Sequence, residues 1–127
     1  MEILEQLSIF LANRPGVLAR VTHALAEEGI NLKAMSVSDT VDHAVVRMVP
    51  DDPRKARDVL ERGGALVVET EVLCVELADH PGALAELSDK LARADVNIEY
   101  AYGSASSGGV SLIVRVSDVA AARGALA

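Results

Sequence analysis

The sequence predicts an α+β protein in which one βαββαβ unit is used twice, each copy an antiparallel sheet with helices on one face. Three observations predict it. Residues 7–61 overlay residues 73–127 without a gap, carrying Pro15-Gly16 onto Pro81-Gly82 and Leu7, Leu11, Leu18, Leu25, Asn31 and Leu60 onto identical residues. Within each copy, two-residue alternation gives way to helical spacing and returns in the same order. Half of the residues are hydrophobic, yet Phe is 1, Trp 0 and Tyr 2. The core must therefore be aliphatic, which suits a sheet covered by helices.

Leu7, Ile9 and Leu11 alternate with Ser8, Phe10 and Ala12, the pattern of a half-buried strand. Asn13-Arg14-Pro15-Gly16 stops it. Val17, Leu18, Val21, Ala24 and Leu25 then fall at helical spacing, so a helix is expected over 15–28, with Pro15 in its first turn, Asn13 or Arg14 near the cap and Gly29 past its end. Residues 30–38 and 43–50 read as strands around a polar Asp39-Thr40-Val41-Asp42 turn. Asp52 and Pro53 open a second helix, Gly63-Gly64 closes it, and 65–70 supplies a last strand.

The second copy runs the same course through 73–78, 81–94, 97–103, 110–116 and 117–126, with a small flexible loop over 104–109. With right-handed crossovers each unit is a ferredoxin-like βαββαβ fold. The expected domains are 1–70 and 71–127. The second module lacks a final strand, because nothing after Leu126 corresponds to 65–70. The sheet edge there is either open or filled by another element; an open edge invites pairing and argues for a homodimer.

The net charge of −7 and pI near 4.8 oppose binding to a phosphate backbone, which calls for clustered Lys and Arg with stacking aromatics. Nucleic acid is not expected as a partner, and neither is a membrane, since no apolar run reaches the ~20 residues of a span. A lone Cys74 leaves no internal disulfide, which favours a cytoplasmic protein. His23, His43 and His80 have no companions at metal-ligand spacing, so neither metal nor cofactor is expected.

The duplicated strand-to-helix corner is where function is sought. Asn13-Arg14-Pro15-Gly16-Val17-Leu18 and Asp79-His80-Pro81-Gly82-Ala83-Leu84 each deliver unpaired amides and the positive end of a helix dipole, which favour a carboxylate. Gly16 and Gly82 let a ligand approach the backbone. Asn13 and Asp79 offer acceptors for an ammonium, and Asn31 and Asn97, where the next strand begins, both donate and accept. A free amino acid fits that set. The same Pro-Gly turns also serve as plain helix-start punctuation.

The run from Leu7 to Leu18, with Gly29-Ile30-Asn31-Leu32 downstream, resembles the ACT domain, a regulatory module that binds amino acids, and residues 73–98 resemble a second copy. The layout is similar to stand-alone tandem ACT proteins, which also carry a stretch like Ile98-Glu99-Tyr100-Ala101-Tyr102. The resemblance implies ligand contacts at the Asn before Arg-Pro-Gly and at the Asn opening the next strand, as in serine-regulated phosphoglycerate dehydrogenases. Those positions are Asn13 and Asn31, then Asp79 and Asn97 in the second copy. It also implies an effector at the seam between modules, where the loop of one faces Tyr100 or Tyr102 of the other, and possible control of a metabolic enzyme.

Tyr100 and Tyr102, two residues apart on one strand face, read as a ligand wall or module interface. Cys74, between Leu73 and Val75, reads as a packed side chain. No acid, base and nucleophile fall together, so the expectation is a non-catalytic amino-acid sensor. Two alternatives stand beside it. One is a small ferredoxin-like enzyme acting on an anionic substrate through Arg14 and Asn31, and the other is a purely structural dimerisation module.

Overall fold

The computed structural model describes residues 1–40 and 42–127. In chain order the elements are β1 (Glu2–Ala12), α1 (Val17–Glu27), β2 (Leu32–Asp39), β3 (His43–Pro50), α2 (Pro53–Arg62), β4 (Val67–Leu77), α3 (Ala83–Arg93), β5 (Ile98–Ser106), β6 (Gly109–Val116) and α4 (Val119–Leu126). They divide into an N-terminal unit, Glu5–Thr70, and a C-terminal unit, Glu71–Ala127 together with Met1–Leu4.

In the N-terminal unit β3 lies between β1 and β2, antiparallel to both. The register pairs Leu7 with Met48 and Ile9 with Val46, so alternation places these four on one face. Leu25 from α1 and Ala56, Val59 and Leu60 from α2 close over them. Full burial of an aliphatic side chain such as Leu7 or Leu25 contributes about 1.5–3 kcal/mol. Ser8, Arg47 and Ser36 are register partners on the opposite face.

The two helices of this unit begin differently. Asp52 accepts a bond from the Lys55 amide at 3.1 Å, with Pro53 in the first turn, as the sequence suggests. At α1 the structure corrects the expectation: the helix opens at Val17, Pro15 lies outside it, and the capping residue is Gly16 at φ 87° with no side-chain bond. Asn13 and Arg14 are taken up by the turn itself, where the Arg14 amide donates to Ala12 O at 3.0 Å and the Val17 amide to Arg14 O at 3.3 Å. The chain must swing left-handed at residue 16, and only glycine does so without a steric cost. Of the expected hairpin turn 39–42, Val41 lies outside the described residues. Thr40 closes the hairpin, with its amide and hydroxyl both donating to His43 O.

In the C-terminal unit β6 lies between β4 and β5. Leu73, Val75, Val114 and Val116 share the helix-covered face with Leu87 and Leu91 of α3 and Ala122 of α4. Two expectations change here. Residues 104–109 are not a six-residue loop: β5 and β6 pair out to Ser106 and Gly109, leaving a two-residue turn with Gly108 at φ 96°. A positive φ there matches the right-handed twist of the flanking strands. Secondly, the expected strands 65–70 and 73–78 form one eleven-residue strand, because Thr70-Glu71 contains no residue that forces a turn.

The missing last strand of this unit has a substitute. Met1–Leu4 belongs to the C-terminal unit, alongside β4, and Ile3 packs on its core. The expected domain division is modified accordingly at the N-terminus. The edge is filled by the chain's own first residues, which takes away the open edge on which the homodimer argument rested.

Candidate functional site

The corners after β1 and β4 repeat closely in backbone. Gly16 and Gly82 have φ 87° and 96°, and the Arg20 and Glu86 amides donate to Gly16 O and Gly82 O at 3.0 and 2.9 Å. A side chain added at either glycine would meet nothing within 4 Å, so the space in front of both is open. Neither α1 nor α3 has a side-chain cap, whereas α2 and α4 are capped by Asp52 and Asp118. The Val17 and Ala83 amides donate to Arg14 O and His80 O at 3.3 and 3.4 Å, and the two amides that follow each of them, at Leu18 and Ala19 and at Leu84 and Ala85, are left to water or a ligand.

Side chains make the corners unequal. Asn13 Nδ2 donates to Asp39 Oδ1 at 2.7 Å, tying the first corner to the β2–β3 hairpin. The equivalent positions in the other unit are Asp79 and Ala105, and an alanine side chain cannot form that bond. There Asp79, His80, Ala83 and Leu84 line a cavity of about 230 Å³ with Leu77 and Leu112. His80 Nδ1 lies 2.9 Å from Pro81 O, a bond made when that nitrogen carries the proton. Glu86 stands in the first turn of α3, while the first turn of α1 holds no acid.

Other predicted residues do not join these corners within their own unit. Asn31 and Asn97 sit at the opposite strand end. The Asn31 amide donates to Asp51 Oδ1 at 3.1 Å and its carbonyl accepts from the Asp51 amide at 2.9 Å. Asn97 forms the same pair of bonds with Ser117, both at 2.9 Å. Asn13 is bonded to Asp39 at the far end of β2, so about 25 Å of extended chain separates it from Asn31. Within one unit they cannot hold the two ends of a single amino acid, and Arg14 and Asn31 cannot meet on one small anion.

Tyr100 and Tyr102 are half-buried and register with Arg115 and Ile113, on the sheet face away from α3 and α4. Arg115 donates to Glu99 Oε1 at 3.1 Å and to Glu71 O at 2.9 Å, which anchors that face. Cys74 is half-buried opposite Ile113 on the same face. Among the described residues no group of three or more His, Cys, Asp or Glu could hold a metal ion. No helix is long and apolar enough to cross a membrane.

Sequence reasoning missed a groove in each unit. In the N-terminal unit, Val17, Arg20, Val21 and Ala24 of α1 face Leu60 and Ala65 across about 240 Å³. The equivalent groove of the C-terminal unit, also about 240 Å³, is lined by Ala83, Glu86, Leu87 and Lys90, with Met1 contributing from the substitute strand. The helical spacing of Val17, Val21 and Ala24 was visible, but it reads as core until the opposite wall is known.

A duplicated ferredoxin-like chain with glycine-opened, uncapped helices after its first and fourth strands belongs to a recognisable class. Residues 1–126 match the family described as an ACT domain pair, and the chain belongs to that family. Its structure is similar to that of protein BT0572 from Bacteroides thetaiotaomicron, at 35% identity and a TM-score of 0.93, covering 98% of this chain and 86% of that one. It is also similar in fold to the regulatory subunit of aspartate kinase from Thermus thermophilus in a ligand-free form, at 19% identity and a TM-score of 0.73, covering 99% and 95%. The corresponding subunit from Thermus flavus gives 24% identity and a TM-score of 0.64, covering 98% and 93%. Among curated proteins none matches the sequence.

Proposed function

We propose that this protein is a non-catalytic regulatory module that binds a free amino acid at its glycine-opened corners and passes the binding event to a metabolic enzyme in the cytoplasm. The observation that carries the reading is the difference among the four described helices: the two following Pro-Gly are uncapped, and the other two are capped by aspartates. Helix amides left unpaired beside an open glycine suit a carboxylate. Membership of the ACT domain pair family and the fold shared with regulatory subunits of aspartate kinase support a regulatory role. Binding would act through unequal affinity for two states of the protein or its complex.

Calorimetry of the full chain against all twenty amino acids tests this, with the matching amino-acid amides as controls. At least one amino acid should bind and its amide should not, because the amide lacks the anion. Silence across the panel from folded protein would sink the proposal. Light scattering with and without the binder tests the associated proposal of a homodimer, which now has to form by some route other than the edge that Met1–Leu4 fills. The enzymatic alternative loses its geometry, since Arg14 and Asn31 lie at opposite strand ends.

A further inference from the structure

Resting on that reading, we infer that the N-terminal unit selects a carboxylate with an apolar chain of about four carbons, seated in the groove beside α1 and anchored by Arg20. The walls supply the apolar part. Val17, Val21 and Ala24 recur at helical spacing along one side of the groove, and Leu60 and Ala65 form the other. An apolar cavity of roughly 150 Å³ holds a benzene-sized guest, so about 240 Å³ is ample for a leucine-like side chain and small for a larger ligand.

Charge supplies the other half. Arg20 is exposed, lines the groove and forms no ion pair among the described residues, and no acid stands in the first turn of α1. Val17 is both the first residue of the helix and part of the wall, so a carboxylate near the uncapped amides leads its chain directly into the groove. In the C-terminal unit the position of Arg20 is held by Glu86, and Lys90 replaces Ala24. That groove has an acid where the anchoring cation would stand, and Lys90 interrupts its apolar wall, so one chain takes one such ligand.

Calorimetry with leucine, 4-methyl-2-oxopentanoate and 4-methylpentanoate separates an amino acid, its oxo acid and a bare carboxylate as the source of this chemistry. Glycine, serine, glutamate and 3-methylbutylamine serve as comparisons. At least one of the three apolar carboxylates should bind at one per chain, more tightly than glycine by roughly fourfold per buried methylene. The amine should not bind. Arg20→Glu should weaken binding at least tenfold, and Ala24→Met, which fills the groove, should abolish it while leaving glycine's weaker binding intact. The thermal transition of each variant checks that it is folded.

If a small or charged amino acid binds more tightly than leucine, and Ala24→Met and Arg20→Glu leave it unchanged, the groove assignment is overturned while the sensor reading survives. If no amino acid and no carboxylate binds, both fall. Binding of 4-methylpentanoate without leucine would uphold the groove and remove the amino acid.

Discussion

The N-terminal and C-terminal units share a core and differ at its borders. Leu7 and Leu73, Leu25 and Leu91, and Ala56 and Ala122 are equivalent, identical and buried to within 1% of full burial. Equivalent border positions diverge in chemistry, Asn13 against Asp79, Arg20 against Glu86 and Val37 against Gly103, and so does one buried pair, Gln6 against Val72. The repeat therefore keeps its buried aliphatic positions and varies most of its charged and polar ones. The two corners consequently carry different charge on the same backbone turn.

The sharpest contrast is between β2 and β5, where Val37 is 48% exposed and its equivalent is Gly103. A Cβ at Gly103 would overlap Ser111 O and lie 2.9 Å from Leu112 Cα, both backbone atoms that a rotamer change cannot move aside. Gly103→Val should cost about 3 kcal/mol or more, as severe overpacking does. Val37→Gly should cost only about 1 kcal/mol, mainly backbone entropy. Urea denaturation of both variants measures the difference, and equal losses would mean that the two positions are equally crowded.

A second contrast concerns burial of polarity. Gln6 and Val72 are both fully buried at equivalent positions. Gln6 sits in prepared surroundings, with its Nε2 donating to Ser8 Oγ at 3.4 Å, whereas two residues along the strand from Val72 the position of Ser8 is held by Cys74, a weak hydrogen-bonding group. Val72→Gln should therefore destabilise by about 2 kcal/mol through an amide left without partners. Gln6→Val should cost about 1 kcal/mol or less, because it removes polar atoms together with their need for bonds. A larger loss from Gln6→Val would show that its bonds specify the N-terminal unit.

These contrasts also explain what could be read from sequence. Periodicity and the internal repeat were enough for the helices and strands, because Leu7-Ile9-Leu11 and Val17-Val21-Leu25 each satisfy one period only. Met1–Leu4 was not legible as a strand of the C-terminal unit, since a strand contributed from a distant part of the chain leaves no trace in local pattern. The start of α1 was misplaced because Asn13-Arg14-Pro15 resembles a cap, while the φ of Gly16 decides the matter. Asn13 and Asn31 looked like partners because nothing in sequence reports that Asn13 bonds to Asp39, at the far end of the strand that Asn31 precedes. The grooves were hidden for a related reason: a cavity depends on two walls, and sequence shows each wall separately.

The helix caps give a smaller and symmetrical test. Asp52 and Asp118 accept from the Lys55 and Ala121 amides at 3.1 and 3.0 Å, in equivalent places. Asp52→Ala and Asp118→Ala should each cost about 1 kcal/mol in thermal or urea unfolding. A difference well above half that value would show that the two capped helices, like the corners, have diverged.

The smallest expected effect separates an identical pair, Arg57 and Arg123. Arg57 bridges Glu61 at 2.7 Å and Glu69 at 2.9 Å, linking α2 to β4. Arg123 forms no ion pair among the described residues, and the position equivalent to Glu61 is Ala127. The Glu69 hydrogen bond, and next that of Glu61, raises the Arg57 pKa above its ordinary value. A raised pKa means a contribution fully present below the ordinary guanidinium range and lost only as pH climbs through the raised value. The Arg57 guanidinium should therefore add no pH dependence between about pH 7 and pH 10. Because the cluster is solvent-exposed, Arg57→Ala should lower the melting temperature by only about 1–3 °C more than Arg123→Ala, and ~1 M salt should erase that margin. A margin that survives high salt would mean that Arg57 acts through packing of its aliphatic stem against α2 and β4, not through its charge.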